Sequence, residues 1–135
     1  MRQRRVSWIP VVAAIIRRGE QVLLGQRPQG HSLAGEWEFP GGKIELGEQP
    51  HQSLARELRE ELDIEADIGP LRLSATHTYG DKGILILFFE VRFYRGEIKA
   101  NHHAALKWVY PNEISSMEIP EANRRVLKEI LRLFE

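Results

Sequence analysis

Gly41-Gly42-Lys43-Ile44-Glu45-Leu46-Gly47-Glu48, followed by Arg56-Glu57-Leu58-Arg59-Glu60-Glu61, is the stretch from which the rest of the chain is read. The first part is too rich in glycine for a helix and reads as a loop. The second reads as a helix over about residues 50–62, because Leu54, Leu58 and Leu62 recur every four residues and Pro50 is acceptable in a first turn. On such a helix Glu57, Glu60 and Glu61 are related as i, i+3 and i+4, so three carboxylates share one face. Unneutralised, such like charges destabilise a helix by a few tenths of a kcal/mol per pair. Hard dications take oxygen ligands, and Mg²⁺ in particular takes a few carboxylates together with substrate phosphates. A metal–phosphate seat is one reading of this cluster. The other is an ordinary acidic surface helix, with Arg56 and Glu60 as a solvated pair.

Outward from this stretch, the chain alternates strands and helices without a regular βαβ pattern. Trp8 to Arg17 is dense in β-branched residues and predicts a strand, and Gln21 to Gln26 a second one after the Arg18-Gly19-Glu20 turn. Residues 27–37 hold Pro28, Gly30 and Gly35 and read as a loop, and Glu38 to Gly42 as a strand end or tight turn. Two strands are expected at Leu71–Tyr79 and Ile84–Tyr94, a short one at Leu106–Tyr110, and an amphipathic helix at Glu121–Phe134. The order predicts an α+β or α/β sandwich with a mixed sheet in one domain over residues 1–135.

Composition narrows the function. Nineteen basic residues balance nineteen acidic ones, and a protein that binds nucleic-acid polymers usually carries a basic excess. No polymer partner is therefore expected. Cysteine is absent, which excludes disulfides, thiolate zinc sites and a cysteine nucleophile. Arg2, Arg4 and Arg5 precede a short apolar run, but Arg17 and Arg18 follow it where a signal peptide needs a small-residue cleavage site. The run falls short of a membrane span, and the expected location is cytoplasmic.

Gly42, then Glu48, then Arg56-Glu57-Leu58, Glu60-Glu61 and Ile64, at these spacings, resembles the Nudix box. Glu36-Trp37-Glu38-Phe39-Pro40-Gly41-Gly42-Lys43-Ile44-Glu45 is similar to the MutT-type subfamily, and the element order from about residue 8 to 130 fits that fold. The resemblance implies a mixed sheet between helices, an α/β/α sandwich of the α+β class carrying a loop–helix–loop catalytic motif. It implies that Glu57, Glu60 and Glu61, with the Gly41 carbonyl, hold Mg²⁺, for which Mn²⁺ can substitute. Glu48 and Arg56 would lock the loop onto the helix, and Glu57 is the candidate general base. The implied reaction splits a nucleoside triphosphate into a monophosphate and pyrophosphate, with 8-oxo-dGTP as the leading substrate and CTP, dCTP or a modified pyrimidine triphosphate as the alternative. A monomer or homodimer is expected. A non-catalytic nucleotide sensor on the same fold is the rival of another class, although the box carboxylates that such chains usually lose are present here.

The chain departs from the pattern twice. Asp63 stands where the box has a glycine that suits a left-handed helix end. His102 stands where MutT-like enzymes often carry a further glutamate, and is read either as a metal ligand or base or, with His103, as an exposed loop residue. For substrate recognition the same resemblance points to Asn123, whose amide offers donors and an acceptor to a purine edge, helix capping being the alternative. Arg27 is expected to reach the nucleotide from the opposite wall, Lys82 to close over it as a mobile cation, and Phe39 or Trp37 to line the base pocket or pack in the core.

Overall fold

Val12 to Ile16 are at most 5% exposed, because the first strand is covered on both faces. In the computed structural model, which describes residues 7–135, this strand β1 (Ser7–Arg18) is followed by β2 (Gln21–Gln26), β3 (Trp37–Glu38), β4 (Gly41–Lys43) and helix α1 (Pro50–Leu62). Then come β5 (Glu65–Asp67), β6 (Leu71–Tyr79), β7 (Lys82–Val91), β8 (Phe93–Arg95), β9 (Ala105–Val109), a 3₁₀ turn (Pro111–Ser116), α2 (Glu121–Arg124) and α3 (Leu127–Arg132). Arg2, Arg4 and Arg5 lie outside the described residues. No helix among the described residues is long and apolar enough to cross a membrane.

Strand β1 runs parallel to β7 from Ser7↔Lys82 to Ile16↔Val91 and antiparallel to β2 and β4, while β6 pairs antiparallel with β7. The sheet is mixed, as expected. Alternation along β1 then assigns the two layers. Val12, Ala14 and Ile16 pack with Leu54, Leu58 and Leu62 of α1. Ala13 and Ile15 pack on the other face with Phe88, Ile114, Ala122, Leu127 and Ile130. The result is a sheet between helices. Each of the three α1 leucines is fully buried and contributes roughly 2 kcal/mol through removal of apolar area from water.

Four elements depart from the sequence expectation. The strand expected over Ile84–Tyr94 is two strands: β7 keeps its backbone partners to Glu90, whose N–H donates to the Pro70 carbonyl and whose carbonyl accepts from Gly69 N–H, after which Phe93–Arg95 leaves to pair with β5. The helix expected over Glu121–Phe134 is also broken. Val126 has φ −110° and ψ 13°, and Arg124 is tied back to the Met117 carbonyl at 2.7 Å. Ala122 and Asn123 thus turn toward a cleft while Leu127 and Ile130 stay on the sheet. β5 and the 3₁₀ turn were not expected.

The end of α1 carries the first departure from the box. Asp63 is in the left-handed conformation at φ 60° and ψ 36°, with its N–H donating to the Arg59 carbonyl. That backbone suits glycine. Its ion pair with Lys99, at 3.5 Å, joins two exposed side chains and is worth little. Asp63→Gly is expected to stabilise the protein by about 1 kcal/mol, read as a higher urea midpoint at unchanged m value.

Candidate active site

α1 turns its three glutamates into a cleft with a volume of about 590 Å³. Glu57, Glu60 and Glu61 all line it, together with Gly41 and Gly42 of β4, Phe39, Asn123 and His102. Exposure separates the acids: the side chain of Glu60 is 60% exposed, that of Glu57 16% and that of Glu61 8%. The glycines are required by close approach. A Cβ on Gly42 would fall within the Glu57 carboxylate, and one on Gly41 would run into the Val12 carbonyl oxygen.

Arg56 fastens the loop to the helix. Its Nε and Nη2 donate to Glu48 at 2.8 and 3.0 Å, its Nη1 donates to Glu57 at 2.9 Å, and Nη2 also reaches the Lys43 carbonyl at 3.2 Å. Glu48 additionally accepts from the Ser53 hydroxyl at 2.5 Å and from Glu45 N–H at 3.0 Å. These bonds, the Arg56 pair first and then Ser53, hold the Glu48 carboxyl down to about 2. Arg56 and Glu60 are thus not an isolated surface pair: their 3.4 Å contact is the outer edge of this network.

Glu61 is in the opposite situation. Burial, followed by the charges of Glu57 and Glu38, pushes its carboxyl up to about 8, with a backbone contact from Gly41 working the other way. Its Oε1 is buried and has no hydrogen-bond partner among the described residues. Burial also raises Glu57, against the pull of Arg56. The donor set therefore fits a dication: several carboxylates converge, one buried oxygen is orphaned, and among the described residues no lysine or arginine pairs with Glu61.

Two residues essential to this geometry were not singled out from the sequence. Glu38 accepts from Arg27 Nη1 at 2.8 Å and from His103 Nε2 at 3.0 Å. Burial alone would raise its carboxyl, but those two bonds more than offset this and hold it below the usual range. His103 is 5% exposed, which corrects the reading of two exposed loop histidines. Its ring occupies the space that the missing side chain of Gly25 leaves, since a Cβ there would lie 2.5 Å from the ring. His102 is exposed but stands on the cleft, its ring 5.0 Å from that of His103. Glu38 lay within the quoted MutT-type segment, whereas the pairing of His103 across 65 residues had no sequence signal.

The base-recognition candidates separate. Asn123 is 6% exposed, lines the cleft and makes no side-chain hydrogen bond among the described residues. Phe39 is buried, lines the cleft and stands edge-on to Phe88 with centroids 5.8 Å apart, so it serves both cleft wall and core. Trp37 packs against the core and is not on the cleft. Arg27 lines the cleft, but its guanidinium is already engaged by Glu38, the Ser32 carbonyl at 2.6 Å and the Ser32 hydroxyl at 3.2 Å. It is a tethered wall rather than a free hand. Lys82 is the first residue of β7 rather than a turn residue, exposed and outside the lining of the cleft, two positions from Ile84, where the β7 lining ends.

Residues 11–129 match the NUDIX domain family. The chain belongs to the Nudix family. A CTP pyrophosphohydrolase of Escherichia coli (strain K12) is 40% identical over 128 residues, covering 95% of both chains. An 8-oxo-dGTP diphosphatase of Haemophilus influenzae is 36% identical over 124 residues, covering 91% of both. Among solved structures, the MutT protein of Methanosarcina mazei Go1 superposes with a TM-score of 0.85 at 26% identity, covering 97% of this chain and 98% of that one. This Nudix chain is a MutT-like hydrolase, and its sheet between helices is the Nudix fold.

Proposed function

We propose that this Nudix hydrolase is a Mg²⁺-dependent nucleoside triphosphate pyrophosphohydrolase whose preferred substrate is an oxidised purine triphosphate, 8-oxo-dGTP. The observation that carries the reading is one cleft holding both the Glu57–Glu60–Glu61 cluster and the buried, unengaged carboxamide of Asn123. Glu57, Glu60, Glu61 and the Gly41 carbonyl would hold the dication. Bound there, it would neutralise charge on the phosphate oxygens and acidify a water. Around it, Glu48 and Arg56 fix the β4–α1 loop. Such partners usually orient the reacting groups rather than react. Glu57 takes the proton of the attacking water, a P–O bond of the triphosphate bridge breaks, and the products are a nucleoside monophosphate and pyrophosphate. The protein acts as a single domain, as a monomer or homodimer, in the cytoplasm.

Asn123 presents both donor and acceptor to the base, with Phe39 beside it on the cleft. A site built to hydrogen-bond its substrate discriminates strongly against analogues that lack the partner groups. Asn123→Ala is therefore expected to lower kcat/KM for 8-oxo-dGTP by about tenfold or more, mostly through KM, with little effect on unmodified nucleotides. A panel of nucleoside triphosphates assayed with Mg²⁺ reads this, and equal loss on every nucleotide would remove the purine argument. A second reading, CTP or dCTP as substrate, is favoured by the relative named CTP pyrophosphohydrolase, which matches nearly end to end. The same panel decides, because that reading expects cytidine nucleotides to lead.

A further inference from the structure

The loop before β9 brings nitrogen donors to a cleft whose other donors are oxygens. His103 Nε2 lies 3.8 Å from Glu61 Oε2 and 3.0 Å from Glu38 Oε2. One potential ligand atom each from Glu61, His102 and His103 falls within 4.8 Å of the others. The ring of His31, from the loop after β2, adjoins that of His102 with centroids 5.9 Å apart. Two further observations point to a ligand: Glu61 Oε1 and His103 Nδ1 are both buried without a hydrogen-bond partner among the described residues, on side chains more than nine-tenths buried.

We propose that Glu61, His102 and His103 form a mixed nitrogen–oxygen site for a borderline transition dication such as Co²⁺ or Zn²⁺, distinct in preference from the all-oxygen seat on α1. Imidazole suits these metals, whereas Mg²⁺ takes hard oxygen ligands and gives up its waters reluctantly. Affinity of a nitrogen- and oxygen-donor site for them also exceeds that for Mn²⁺ in the usual first-row order. The exposed His31, whose ring adjoins that of His102, offers a third imidazole nearby. Gly25 is what leaves room for the His103 ring at this place. Glu61 is the shared member, so the site borders the one proposed for catalysis, but its defining ligands are the two histidines and it stands whether or not the nucleotide assignment does.

The test is a Co²⁺ titration in the presence of saturating Mg²⁺, followed by calorimetry and by visible absorption, which reports nitrogen ligation directly. Wild-type protein is expected to take up Co²⁺ with a visible band. His102→Ala, a change at an exposed position, is expected to weaken uptake by about tenfold or more and to alter the band. Glu57→Gln, which would stop pyrophosphate release under the proposed function, is expected to retain the Co²⁺ site. The two readings therefore fail separately. Uptake that is unchanged in His102→Ala, or that saturating Mg²⁺ abolishes in the wild type, would overturn the proposal.

Discussion

Glu57→Gln is expected to lower kcat for Mg²⁺-dependent pyrophosphate release by about 100- to 10,000-fold, the usual range for loss of a positioned general base. The substitution is nearly isosteric, so the amide still fits beside Gly42 and still accepts from Arg56, as the carboxylate does at 2.9 Å. What disappears is a negative charge for a dication and a basic oxygen for the water proton. Because the loop network runs mainly through Glu48 and Arg56, the variant is expected to unfold at nearly the wild-type denaturant concentration. Residual activity close to wild type in the pyrophosphate assay would mean that another group takes the proton and that the charge of Glu57 is dispensable.

The second large effect concerns stability. Glu61 titrates at about 8 in the folded protein, against an ordinary value of 4.5. Below about pH 4.5 the carboxyl is protonated in folded and unfolded chains alike, and its stabilising neutral form is fully retained. Between about 4.5 and 8 the unfolded chain has lost a proton that the folded one keeps. Stability then falls as pH rises, by about 1.4 kcal/mol per pH unit from this group alone, and by a few kcal/mol across the window. Above about 8 the folded carboxyl ionises too and the slope ends. Glu61→Gln removes this slope, so the metal-free variant is expected to exceed wild type by a few kcal/mol at pH 8 and to match it near pH 4.5. Chemical denaturation of metal-free protein at several pH values measures the difference, and parallel curves for the two proteins would contradict it. Glu48 has the opposite sign: lowered from 4.5 to about 2, it stabilises fully above the ordinary carboxylate range and loses that contribution progressively as pH falls from there to about 2.

What was legible in the sequence follows the range of the interactions. The apolar run of β1 and the four-residue leucine spacing of α1 are local patterns, and the structure places both elements as expected. The box residues sit on one helix and its leading loop, so their proximity follows from sequence spacing. The start of β7 was not legible in the turn-rich stretch, because the hairpin needs only Gly80 and Asp81, leaving Lys82 as the first ladder residue opposite Tyr79. The break at Val126 and the departure of β8 depend on partners elsewhere in the chain, Met117 and β5, that periodicity does not encode. Glu38 and His103 were missed for the same reason. Their hydrogen bond requires β2, β3 and the loop before β9 to be assembled first, and a glycine at position 25 to admit the ring.

Calorimetric titration of Mg²⁺ into wild-type protein and into a Glu57→Gln/Glu61→Gln double variant probes the metal seat without any nucleotide or turnover. The wild type should bind the ion and the double variant should lose at least about tenfold in affinity. Equal heats from the two proteins, or no Mg²⁺ uptake by either, would contradict the assignment of these carboxylates as the centre of the site.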